Sequence, residues 1–453
     1  MSPTPRSRSP RGLPAIALFG LLAILTLTSC SAGGSGASSK LSLGLAGSTA
    51  DHPARPPVIT STSPTGTYAF VYDNQIWLRK SGQTTPTQLT HLILSTGATI
   101  KWGPLVWSPS GGLIAFSLVQ NMVPTQTGGT TGALYYVDTA TGATYDTPAT
   151  GSIYGHTYTW YGNNMLVYVN GGGIFMFGPI DGDFRSWTVL SPMSSGDNTT
   201  FSGQGLTFGD IAITANDNLF FSAATLQTPG APGVVGPAAI YETQLFSLSA
   251  YQQMQAADRA NHTNQLPSWI ATNVAAQPGT YIASLGQAYT NAEGSIVIGA
   301  WQISSDEHTL LAQRISGVDV KGGTVTSSVC TFRGWGYFAS FSRCTNVLAS
   351  AGKFSLSAYP TAAVSGHGAE IAIATDGLYI ANADGSRATH VPSVGWEAPP
   401  VWSPDGKTIA VTQLVQQTTN ANGVKTYTTN VMAVSAGSSA LTLVGGGLNL
   451  AWA

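Results

Sequence analysis

One phrase is written twice in this chain. Trp107-Ser108-Pro109-Ser110-Gly111-Gly112-Leu113-Ile114-Ala115-Phe116 and, far downstream, Trp402-Ser403-Pro404-Asp405-Gly406-Lys407-Thr408-Ile409-Ala410-Val411 share a Trp, a Pro-Gly turn and an apolar run. Pro followed within two residues by Gly is turn chemistry, and the apolar run after it reads as a buried strand. A repeated strand, turn and strand unit cannot cover its own apolar faces, so copies must stack on one another.

With the Trp as register mark, equivalent positions fall near Thr62, Trp107, Trp160, Thr214, Thr290, Val364 and Trp402. Strands are predicted after these marks over 68–72, 113–117, 165–169, 219–222, 296–300, 371–374 and 409–412. A further strand follows each, over 76–78, 134–137, 174–177, 245–248, 310–312, 378–380 and 431–434. Turn signals such as Thr141-Gly142, Asp181-Gly182, Asp384-Gly385 and Ala436-Gly437 announce an outer strand. Four short antiparallel strands per unit make a propeller blade. The expected fold is an all-β propeller of seven blades, with six or eight left open by the degenerate middle copies.

Leu448-Asn449-Leu450-Ala451-Trp452 reads as one more Trp-bearing inner strand. It is predicted to close the ring against the first blade, hiding an edge that would invite aggregation. Two alternatives stay open: a frayed tail, and the same slot filled by Val58 to Thr62.

Composition agrees with a turn-rich β protein, since the chain of 453 residues carries 53 Gly and 25 Pro. Charged residues make up only 8%, with a net charge of -2. That balance offers no basic field for a phosphate backbone, so nucleic acid is not an expected partner.

The N-terminus reads as an address. Arg6, Arg8 and Arg11 precede an apolar stretch from Ala15 to Leu27 that is short for a membrane span. Leu27-Thr28-Ser29-Cys30 resembles a bacterial lipobox, which implies that Cys30 receives a diacylglycerol and becomes the mature N-terminus; an uncleaved anchor or ordinary signal peptide is the alternative. The expected division is 1–29 signal peptide, 30–56 Gly/Ser/Pro-rich tether and 57–453 propeller, with insertions around 223–280 and 315–356.

The repeat resembles the WD40-like β-propeller repeat of the TolB type, whose signature runs Trp-Ser-Pro-Asp-Gly-Lys into an apolar strand. Trp402 to Val411 matches throughout, and Trp107 to Phe116 departs by Ser110 and Gly112. Thr62-Ser63-Pro64-Thr65-Gly66-Thr67 keeps the spacing with Thr in place of Trp, Asp and Lys. The resemblance implies an architectural motif, with the Trp packed between blades and the Asp-Gly turn closing the inner hairpin. It implies no activity.

Within the expected insertions, Ala250 to Ala260 is rich in helix formers. Cys330 and Cys344 are expected to form a disulfide, as an isolated pair in an exported chain; metal binding, the alternative, lacks His partners nearby. The same loop holds Arg333, Trp335 and Tyr337, candidate ligand contacts because constrained loop aromatics suit recognition. Tyr154, Tyr158, Trp160 and Tyr161 cluster at one blade entry, where Tyr158 and Trp160 read as packing residues.

No Ser lies in a Gly-x-Ser-x-Gly elbow, and no further hydrolase domain is expected within the 453 residues. Ser403-Pro404-Asp405-Gly406 resembles a sialidase Asp-box only loosely, since Asp and Gly adjoin, and Asp181-Gly182-Asp183 reads as a turn rather than a calcium loop. Of five glutamates, Glu242, Glu293, Glu307, Glu370 and Glu397, only Glu293 and Glu397 fall near predicted inner strands or blade entries, as a carboxylate pair for glycan cleavage would require. The expected function is a non-enzymatic, lipid-anchored, extracytoplasmic binding or scaffold module for a protein, peptide or glycan. It is expected to be a monomer with no cofactor and no metal; a glycan-active hydrolase or lyase and an accessory sensor subunit are the alternatives.

Overall fold

The structure, a computed structural model, describes residues 66–93, 99–121, 131–152, 155–170, 173–180, 183–190, 206–225, 233–245, 280–290, 296–333, 345–346, 353–355, 361–374, 377–392, 399–419, 425–435 and 438–453. The description that follows concerns these residues, all within the unit Ala37–Ala453.

Seven four-stranded units follow one another, numbered here as blades 1 to 7. Blade 1 is ordered Leu448–Trp452, Tyr68–Tyr72, Gln75–Arg79, Thr87–Gln88 from the inner strand outward. Blade 2 has a split inner strand, Thr99–Trp102 and Val106–Trp107, then Leu113–Asn121, Thr131–Asp138 and Thr144–Ser152. Blade 3 is Tyr158–Tyr161, Met165–Asn170, Gly173–Ile180, Asp183–Leu190, and blade 4 is Leu206–Ile213, Asn218–Thr225, Gly233–Gln244, Thr280–Thr290. Blade 5 runs Trp301–Ile303, Thr309–Asp319, Thr324–Arg333, with Thr345–Asn346 and Lys353–Ser355 sharing its outer position. Blades 6 and 7 are Thr361–Val364, Glu370–Ala374, Gly377–Asn382, Thr389–Pro392 and Val401–Trp402, Thr408–Thr419, Lys425–Ser435, Thr442–Gly446.

What makes the units a ring is where their apolar side chains go. Successive strand residues face opposite sides of a sheet, so each blade can feed two junctions. Ala69 and Val71 pack with Ile114 and Phe116 between blades 1 and 2, whereas Tyr68 and Phe70 pack with Ala410 and Val431 between blades 7 and 1. Corresponding buried clusters fill the 2–3, 3–4, 4–5, 5–6 and 6–7 junctions. Seven blades therefore share seven apolar junctions, and the last one closes the circle. Each fully buried large side chain contributes about 1.5–3 kcal/mol, so no blade could hold its shape without both neighbours. This is a seven-bladed β-propeller closed by its C-terminal strand.

Closure uses both sides of the sequence within one blade. Trp452 pairs with Tyr68, the register that Trp402 has with Ile409 and Trp107 with Ile114. The amide of Ala453 donates to the Thr67 carbonyl at 3.0 Å, as Ser403 does to Thr408. The Trp position of blade 1 thus belongs to Trp452 and not to Thr62, which lies outside the described residues. Asn449, at a φ of 53°, donates through Nδ2 to the Trp102 and Gly103 carbonyls of blade 2, while its own amide donates to Thr412 Oγ1 of blade 7.

Two expectations about register are corrected. Thr290 does not begin blade 5; it ends the outer strand of blade 4, and the predicted strand at 296–300 is only Ile296–Val297, paired to that outer strand. Leu310 to Ala312 consequently belongs to the second strand of blade 5. The third strand of blade 4 is Gly233–Gln244 rather than 245–248, because register shifts on either side of Pro237 let a strand form around a residue that ordinarily breaks one. Blade strands therefore occupy parts of both stretches expected as insertions, including Thr324–Arg333. The Ala250 to Ala260 segment lies outside the described residues.

Blades 4 and 5 are also joined through their backbones. Gly286 of the outer strand of blade 4 bridges Ile315 in parallel register, merging the two blades into one ten-stranded sheet. A Cβ at Gly286 would lie 2.0 Å from the Ile315 carbonyl oxygen, so only glycine permits the approach.

Candidate functional site

The hairpin turn between the inner and second strands shows what the recurring phrase does. In blade 7, Ser403 Oγ donates to Asp405 Oδ1 at 2.6 Å and accepts the Thr408 amide at 3.0 Å. The Lys407 amide donates to the same Asp405 oxygen, and the Gly406 amide donates to the Ser403 carbonyl. These bonds hold Asp405 below the usual carboxylate range, the Ser403 hydroxyl contributing most. The motif's polar atoms are spent on their own turn.

Blade 5 repeats this geometry with a different spelling. Ser304 Oγ donates to Asp306 Oδ1 at 2.6 Å and accepts the Thr309 amide at 2.9 Å, while the His308 amide donates to Asp306. Ile303 stands in the Trp position and Glu307, at a φ of 58°, stands where blade 7 has Gly406 at 68°. The shared Ser-x-Asp-x-x-Thr spacing was the available signal; the missing Trp and Gly concealed it.

Glu307 reaches across to blade 4. Its carboxylate accepts from Thr214 Oγ1 and from Asn218 Nδ2, and its side chain is almost fully buried. Glu242, on the third strand of blade 4, is pushed up from the usual carboxylate range by burial first and by repulsion from Glu307 second. Two carboxylates thus share the 4–5 junction, and neither was singled out from the sequence. Among the described residues no three His, Cys, Asp or Glu side chains converge as a metal set.

Further polar contacts of the inner strands lie at blades 2 to 4. Trp107 Nε1 donates to the Ala451 carbonyl of blade 1 at 3.1 Å, and Trp160 Nε1 donates to the Val106 carbonyl of blade 2 at 2.9 Å. Tyr158 OH donates to the Pro104 carbonyl and accepts the Ser117 amide; burial pushes this phenol far above its ordinary range. Tyr158 and Trp160 are therefore junction residues, and Tyr161 is buried in the next junction. Tyr154 lies outside the described residues. Just before this strand, the His156 amide donates to Asp210 Oδ1 on the inner strand of blade 4 at 2.8 Å.

The residues singled out for recognition are distributed less favourably. Arg333 ends the third strand of blade 5, and Cys330 is fully buried three residues earlier. Cys30, Trp335, Tyr337, Cys344, Glu293 and Glu397 lie outside the described residues. Among the described residues no helix is long and apolar enough to cross a membrane.

Fold and junction geometry define the class: a closed β-propeller whose repeat motif is an internal fastening. The solved structures it resembles include TolB from Acinetobacter baumannii, at 10% identity and TM-score 0.36, covering 85% of this chain and 66% of that one. Puromycin hydrolase is similar at 12% identity and TM-score 0.43, covering 76% of this chain and 46% of that one. A protein from Lactobacillus plantarum matches at 11% identity and TM-score 0.42, over 85% and 96% of the two chains. The chain thus spans about two thirds of the TolB structure and under half of the hydrolase. No family model and no curated relative matches.

Proposed function

We propose that this chain is a lipid-anchored, extracytoplasmic propeller of TolB-type repeats that acts as a non-enzymatic binding or scaffold module for a protein, peptide or glycan. The observation that carries the reading is the construction of blade 1. The chain enters that blade at Gly66 and Thr67, and Leu448–Trp452 pairs alongside, so a tether from Cys30 would hold the ring through a blade knitted from both directions. The motif side chains are consumed in turns and junctions, which leaves recognition to segments that interrupt the repeat. Trp335 and Tyr337, after the blade 5 strand that Arg333 ends, are the residues proposed for it. A Cys330–Cys344 disulfide is part of the same proposal; the antiparallel register sets Cys330 opposite Asn346, two residues along the chain from Cys344.

Metabolic labelling with palmitate tests the anchor: the wild type is expected to be labelled and membrane-bound, and Cys30→Ala unlabelled and released. An unlabelled wild type overturns it. For recognition, a glycan array and cross-linking in envelope extract are compared between the wild type and the Trp335→Ala, Tyr337→Ala double variant, which is expected to lose the signal while keeping its thermal midpoint.

A further inference from the structure

We infer that the junction between blades 3 and 4 carries a proton-responsive contact, His156 against Asp210, which loosens that side of the ring when His156 is protonated. Asp210 lies on the inner strand of blade 4 and His156 just before that of blade 3. Besides the His156 amide bond to Asp210 Oδ1, the Ile211 amide donates to the His156 carbonyl at 2.8 Å, so the strands are joined main chain to main chain. The approach is tight: a Cβ on Gly155 would lie 2.4 Å from Asp210 Oδ1.

Against this close fit the imidazole is poorly served. Although His156 as a whole is only partly covered, its Nε2 is buried and has no hydrogen-bond partner. Protonation would turn that atom into a charged donor with nothing to donate to, the costliest kind of buried polar group. Asp210 of blade 4 is the acidic group that acts on the ring. On the blade 3 side the neighbouring titratable group is Tyr158, whose hydroxyl is engaged with Pro104 and Ser117 of blade 2. Burial holds His156 below the usual imidazole range, with attraction to Asp210 opposing in part. Burial raises Asp210, with His156 and the His156 amide opposing.

The sign follows from proton linkage. A histidine lowered in the folded state is neutral in both states above its ordinary value of about 6.5, so it costs nothing there. As pH falls below that value the unfolded chain takes the proton first, and stability is lost until the folded value is also passed. Asp210 acts in the opposite sense, since its raised folded value lets the native state take up a proton before the unfolded chain does. Of the two groups, His156 is the one whose protonation weakens the contact. The device depends on the fold alone and stands whether or not the segment after Arg333 binds a ligand.

The experiment follows the imidazole Cε1–H resonance of His156 in the full chain, assigned by its absence in His156→Gln, together with hydrogen exchange of the Ile211 amide at pH 7.5 and 5.5. The expected results are a titration midpoint below the ordinary histidine value and a loss of Ile211 protection at pH 5.5, corrected for intrinsic rates. The protection loss is expected to be about tenfold for each pH unit between the ordinary and folded values that is crossed. His156→Gln should abolish the protection loss at pH 5.5, and Asp210→Asn should lower the midpoint further by removing the favourable charge. An ordinary midpoint, a pH-independent Ile211 amide in the wild type, or an unmoved midpoint in Asp210→Asn overturns the proposal. If His156→Gln fails to fold, assignment through the Asp210→Asn shift and the wild-type midpoint decide it.

Discussion

Trp107 donates its indole N–H to the carbonyl of Ala451, a bond between residues 344 positions apart in sequence. Trp160 makes the same bond to Val106, the residue before Trp107, just as Ala451 is the residue before Trp452. The repeat's Trp is thus a fastener whose donor reaches back to the preceding blade. Trp402 breaks the series, because its buried Nε1 has no partner.

This difference predicts unequal costs for one substitution. Trp107→Phe removes the donor and strands the Ala451 carbonyl, whereas Trp402→Phe removes an indole N–H that bonds nothing. Both lose comparable apolar area. Trp107→Phe is expected to be the more destabilising by about 1 kcal/mol, read from chemical denaturation midpoints. Equal losses would show that the bond contributes nothing.

Glu242→Gln is expected to stabilise the protein at neutral pH. Burial and Glu307 raise the folded value of Glu242 above 4.5, so its charged form is a native-state penalty that is full above the folded value. On acidification the native state takes up the proton first, and the penalty is gone once pH falls below the unfolded value. The advantage of Gln should therefore shrink as pH is lowered from 7 toward 4, measured as the difference between two thermal midpoint curves. A constant difference would place Glu242 in ordinary solvent.

Gly286→Ala should separate blades 4 and 5. The substituted Cβ would overlap the Ile315 carbonyl, and the backbone there has a φ of 78°, which costs an L-residue about 1–2 kcal/mol before any displacement. The expected loss is at least about 2 kcal/mol, with the Ile315 region losing exchange protection ahead of blades 1 to 3. A Gly317→Ala control, whose nearest approach is a 3.9 Å contact, should cost far less.

Legibility varied along the chain for identifiable reasons. Blades 2, 3, 6 and 7 could be placed because turn residues and period-two apolar runs act over a few neighbours, and Leu113, Met165, Ile371 and Ile409 do lie in the strands predicted for them. Blade 5 could not be placed, because Ile303 and Glu307 replace the two residues that mark a turn. The candidate site was less legible still. His156 and Asp210 sit 54 positions apart with no motif between them, and Glu307 reads locally as one loop carboxylate among five.

The sequence by itself determined the repeating unit, its turns and its Trp register, since each depends on residues close along the chain. The tertiary structure decided which strand completes blade 1, where blade 5 begins, and which polar groups meet at the junctions. Those outcomes depend on stacking blades against one another: the contacts of Glu307 with Thr214 and His156 with Asp210 exist only between packed neighbours, and that of Trp107 with Ala451 only once the ring has closed.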